Sequence, residues 1–76
     1  MMVKWSISIR TLDEELIHKN IIEAADLANA KQQCLNICKD QIKDKDKLYL
    51  ESRGKGCYVI VSDLDDVGQV RIERMN

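Results

Sequence analysis

The chain has seventy-six residues, with twelve basic and thirteen acidic side chains, a formal net charge of −1, 45% apolar residues and 33% charged ones. That balance excludes an unfolded polyelectrolyte, and the length leaves room for one small core, so a single domain over residues 1–76 is expected and a multi-step enzyme is not. Near-neutral charge also excludes bulk attraction to nucleic acid or an anionic membrane, so any such partner must meet a local patch. Apolar runs such as Tyr58 to Val61 fall far below the ~20 residues that span a bilayer, and residues 1–6 carry no secretory pattern. Cys34, Cys38 and Cys57 are an odd number without framework spacing. Free thiols, no membrane partner and a cytoplasmic location are therefore the expectation.

In chain order, Val3, Trp5, Ile7 and Ile9 alternate with Lys4, Ser6, Ser8 and Arg10, the two-residue period of a strand with one buried and one wet face. Residues 11–15 interrupt it, and Leu16 to Ala24, with β-branched Ile17, Ile21 and Ile22, suggests a return strand; a weak helical face over Glu14–Ala24 competes. From Asp26 the period changes. Leu27, Ala30, Cys34, Cys38 and Ile42 form one stripe at spacings of three and four, Asp26 suits the N-cap, and a helix is expected from about Leu27 to about Lys43. Lys31 borders the stripe, with its stem along the sheet and its ammonium in water. The alternating Lys and Asp residues over 39–47 read as a solvated exit. Leu48 to Glu51 starts a third strand, Arg53 to Gly56 a turn, and Cys57 to Val61 a fourth strand. Asp63 to Gly68 reads as a turn and Gln69 to Met75 as a last strand. The predicted fold class is α+β: an antiparallel sheet, β-β-α-β-β-β, with the helix packed on one face.

No catalytic constellation emerges. Cys34 and Cys38 sit one turn apart on the stripe that must face the sheet, where free thiols act as small hydrophobes rather than zinc ligands. His18 has no neighbouring nucleophile and orienting carboxylate, and reads as an exposed strand residue. The sequence from Asp63 to Gly68 opens like a calcium loop, but Arg74 stands where the bidentate glutamate belongs and strands flank it. Arg53–Gly56 lacks the following helix of a phosphate loop. No metal, no cofactor and no enzymatic activity are expected. By alternation the helix-free face should show Lys4, Ser6, Ser8, Arg10, Tyr49, Glu51, Tyr58, Ile60, Arg71 and Glu73. Two tyrosines among cations suit either a protein interface or stacking on the bases of a single-stranded nucleic acid, while Glu51 and Glu73 would repel a phosphate backbone.

The segment Ile21-Ile22-Glu23-Ala24-Ala25-Asp26-Leu27-Ala28-Asn29-Ala30-Lys31, a strand ending in Ile-Glu-Ala, a cap and a Leu-x-x-Ala-Lys helix start, resembles small phage and mobile-element proteins of a type I-F anti-CRISPR family. The resemblance covers about half of the chain and the strand order; the C-terminal half, with its Asp-rich turn and Arg71/Arg74 strand, departs from it. It implies a non-catalytic inhibitor in the host cytoplasm that binds a CRISPR effector complex, a host protein or ribonucleoprotein, and blocks target nucleic-acid binding. The candidate partner-binding surface is bounded by Asp63, Asp65 and Asp66 at one tip and by Tyr49, Tyr58 and Arg71 on the sheet. Monomer and dimer both remain open, because sheet edges can pair while Lys and Arg along the strands discourage it.

Overall fold

The computed structural model describes residues 2–13, 15–42, 47–63 and 65–75. The elements run β1 (Val3–Thr11), β2 (Leu16–Ala24), α1 (Leu27–Gln41), β3 (Tyr49–Gly54), β4 (Cys57–Ser62) and β5 (Asp65–Arg74). The strands form one antiparallel sheet in the order β2-β1-β5-β4-β3. The chain thus has the α+β class and element order that its hydrophobic periods predict.

The first hairpin follows from the alternation in β1: Trp5, Ile7 and Ile9 are buried while Lys4 and Arg10 are exposed. Residues 16–24 are strand rather than helix, with Ile22 opposite Trp5 and Ile21 opposite Ser6. β-Branched side chains lose rotamer freedom in a helix and fit a pleated neighbour, which settles the competition. Thr11 secures the turn, its N–H donating to the Glu15 carbonyl at 3.0 Å and its Oγ1 accepting from the Glu15 N–H at 3.2 Å.

Asp26 caps α1 as expected. Its backbone is extended (φ −154°, ψ 179°), and its Oδ1 accepts from the Asn29 N–H at 2.8 Å. The helix ends at Gln41, where the Ile42 N–H donates to the Cys38 carbonyl at 2.8 Å; Lys43, the expected end, lies outside the described residues. Ala30, Cys34 and Cys38 form the buried stripe. The Trp5 indole N–H reaches across the strand-to-helix junction to the Ala24 carbonyl at 3.2 Å.

In the second hairpin Gly54 pairs with Cys57, leaving Lys55 and Gly56 as the turn. Gly56 needs its missing side chain twice over: φ is +75°, and a Cβ would lie 2.9 Å from the Ile72 carbonyl oxygen. Strand β5 starts at Asp65, earlier than the expected Gln69, so Asp65 and Asp66 pair with Ser62 and Val61 instead of forming a turn. The turn residue Asp63 takes a left-handed φ of 56°. Gly68, expected in the turn, is a strand residue at a close approach: a Cβ there would stand 2.6 Å from the Arg10 carbonyl oxygen.

The core unites Trp5, Ile7 and Ile9 with Ile60, Val70, Ile72, Tyr58 and the helix stripe. Tyr58 and Ile60 were expected on the helix-free face and lie on the other one, 6% and 0% exposed. Register explains this: Tyr58 pairs with Val70, which pairs with Ile9, so all three share the helix side. His18, expected to be exposed, sits opposite Ile9 and is half-buried on that side as well. Among the described residues no helix is long and apolar enough to cross a membrane.

Candidate binding surface

The face away from α1 is built by the half of each alternation that the core does not take. Ser6, Ser8 and Arg10 of β1 oppose Glu73, Arg71 and Gln69 of β5, which in turn face Cys57 and Val59 of β4 and then Glu51 of β3. On the other flank Ser6, Ser8 and Lys4 oppose Ile21, Lys19 and Glu23 of β2. Small serines in β1, with Lys19 and Arg71 on either side of Ser8, leave a hollow. It is a shallow depression of about 460 Å³ lined by Ser8, Arg10, Arg53, Cys57, Val59, Gln69 and Arg71, with the backbones of Tyr58 and Val70 as its floor.

Three guanidinium groups therefore border one depression, and two carboxylates temper them. Arg53 donates from Nη1 to Glu51 Oε1 at 2.7 Å, and Arg71 pairs through Nε with Glu73; each pair lies two residues apart on one strand. The hydrogen bond from Arg53 to Glu51, reinforced by the negative charges of Glu51 and Asp66, holds that guanidinium more firmly protonated than usual. All four side chains stay about half exposed or more, so the pairs add little stability and are available for exchange with an incoming partner.

Of the residues singled out in the sequence, Arg71 and Tyr49 stand on this face. Tyr49 is 49% exposed, and its hydroxyl lies 3.5 Å from the Asp63 carbonyl oxygen. Asp63 and Asp65 are exposed beside it, and Asp66, opposite Val61, carries the acidic character onto the face itself. Tyr58 is not part of the surface; its ring lies under α1 with Lys31 Nζ 5.0 Å from the centroid. Arg53, Gln69 and Cys57 were missed as members. Arg53 read as part of a glycine turn, and only the pairing register brings it beside Arg10 and Arg71.

The remaining chemistry-bearing groups lie elsewhere. Cys34 and Cys38 are fully buried, and their mutual hydrogen bond, ahead of burial, pushes the Cys34 thiol far above its ordinary range while pulling that of Cys38 down against burial's upward push. Nε2 of His18 is buried and has no hydrogen-bond partner among the described residues. Among the described residues no three His, Cys, Asp or Glu side chains are grouped so as to hold a metal ion. Comparison with protein-family models, with curated proteins and with solved structures gives no match.

Proposed function

We propose that this chain is a non-catalytic binding module that docks its helix-free sheet face on a protein or ribonucleoprotein partner in the cytoplasm. The observation that carries this is the depression bordered by Arg10, Arg53 and Arg71 on a face that the helix leaves uncovered. Glu51, Glu73 and Asp66 are interleaved with those cations, so the face matches a surface of mixed sign better than a uniformly anionic strand. With Tyr58 under the helix, one of the two stacking platforms that a single-strand binder would use is withdrawn. In the particular form implied by the junction at residues 21–31, the partner is a type I-F CRISPR effector complex. The acidic residues Asp63, Asp65 and Asp66 then meet the cationic surface along its guide and obstruct target DNA.

The test is binding of the purified chain to an intact effector complex, followed by a target-DNA shift assay. Retention of the chain, loss of the DNA shift, and about tenfold weaker binding for Arg71→Glu or Asp66→Lys are expected. No retention by the complex removes the inhibitor form. Binding to an oligonucleotide alone that falls steeply with salt would transfer the face to a nucleic-acid partner.

A further inference from the structure

The two open edges of the sheet are unlike. β3 is six residues long and its pairing with β4 shifts register between Ser52 and Gly54, so it offers a short, broken edge. β2 is nine residues long, and its pairing with β1 runs without interruption from Val3/Ala24 to Ile9/His18. In an antiparallel pair the peptide groups of alternate residues turn toward the neighbour and away from it. Two hydrogen bonds show which residues of β2 turn away. The Ile21 N–H donates to the side chain of Asn20 at 2.8 Å, and the Glu23 carbonyl accepts from Gln33 Nε2 of the helix at 2.8 Å. Lys19, Ile21 and Glu23 are thus the outward set, and by register with Ser8, Ser6 and Lys4 their side chains lie on the helix-free face. Ile21 is 53% exposed there.

That set is self-complementary. When a second β2 is laid antiparallel along the first with Ile21 facing Ile21, Lys19 of each copy faces Glu23 of the other, giving an apolar centre with an opposite-charge pair on either side. Sliding the register two residues toward the N-terminus of β2 sets Lys19 beside Ile21, and four residues sets Lys19 against Lys19. A slide of four residues the other way sets Glu23 against Glu23. The two-residue slides lose both opposite-charge pairs and the four-residue slides set like charges directly opposite, so the register centred on Ile21 is favoured.

We propose that the outer edge of β2 is a homotypic strand-addition interface, in which a second copy pairs about a two-fold axis through Ile21 and joins the two five-stranded sheets into one. The Glu23 carbonyl has a second lone pair and accepts the partner's Lys19 N–H without losing Gln33. Asn20 is the latch: its side chain occupies the central donor, the Ile21 N–H, and must swing away for the edge to close on its copy. The interface is independent of what docks on the helix-free face, which the pairing would present twice on one side of the joined sheet.

Sedimentation equilibrium on the full chain across the micromolar range tests this. Asn20→Ala unlatches two symmetric amides and is expected to tighten the dimer about tenfold. Lys19→Glu alone and Glu23→Lys alone are each expected to weaken it about tenfold, because each sets like charges opposite one another. The double swap, or a mixture of the two single variants, restores it. A wild-type monomer with a dimeric Asn20→Ala variant that obeys the same swap logic supports the latch equally. An Asn20→Ala variant that stays monomeric at the highest attainable concentration, or a dimer indifferent to the swaps, overturns the proposal. Circular dichroism of each variant confirms that the exposed substitutions leave the fold intact.

Discussion

The two faces of this sheet use the same strands and share almost nothing else. Under α1 lie Ile7, Ile9, Val70 and Ile72, each 3% exposed or less, whereas one residue away along the same backbones lie Ser6, Ser8, Gln69 and Arg71. Helix α1, 15 residues long, divides the molecule's tasks. The side it covers supplies the apolar burial that holds the fold, and the other side is released from packing and is free to carry charge, small residues and a hollow.

Substitutions in matched pairs are the most direct way to break that division. Ile7→Ala should cost about 3 kcal/mol in urea unfolding, from lost transfer energy and a cavity beneath the helix. Ser8→Ala, its neighbour on the open side, should stay within about 0.5 kcal/mol. Equal losses would show that both sides hold the core. The tyrosines form a second pair: Tyr58→Ala is expected to destabilise by roughly 3 kcal/mol and Tyr49→Ala by less than about 1 kcal/mol. Gly68→Ala drives a Cβ toward the Arg10 carbonyl oxygen and Ile60 Cδ1 where β5 meets its neighbours. About 2 kcal/mol should be lost, read as a lower denaturant midpoint. Asp26→Ala, which removes the cap of the covering helix, should cost about 1 kcal/mol, and Asp26→Ser should recover most of it. The smallest effect on stability, with the sharpest contrast, is thiol reactivity. Cys57 on the open side should react with an aromatic disulfide reagent in the native protein, whereas Cys34 and Cys38 should react only on unfolding.

Much of this division was legible in the sequence, and the exceptions share one cause. In β1 strict alternation of apolar and polar residues assigns every side chain to a face without further information. In β4 the run Cys57-Tyr58-Val59-Ile60-Val61 is apolar throughout, so no period tells inside from outside. The pairing of Tyr58 with Val70 decides it, and that is a tertiary fact. The early start of β5 escaped for a related reason: Asp65, Asp66 and Gly68 carry turn chemistry, yet the glycine serves a close backbone approach and the aspartates sit where the strand meets solvent. For the candidate surface, Tyr49, Arg71 and the aspartates were readable from residue type. The gathering of Arg10, Arg53 and Arg71 was not, because they come from β1, β3 and β5, which only the sheet order gathers around one depression.

The strand order has one more consequence, for the moment of synthesis. β1 and β2 can zip as a hairpin early, but β1 meets the rest of the sheet only through β5, which follows the other four strands along the chain. Until β5 emerges from the ribosome, the nascent chain presents Ile7 and Ile9 along an unclosed border, a state prone to sticking to other chains. Pausing before codon 65 should therefore lengthen its dependence on chaperones far more than pausing within the helix.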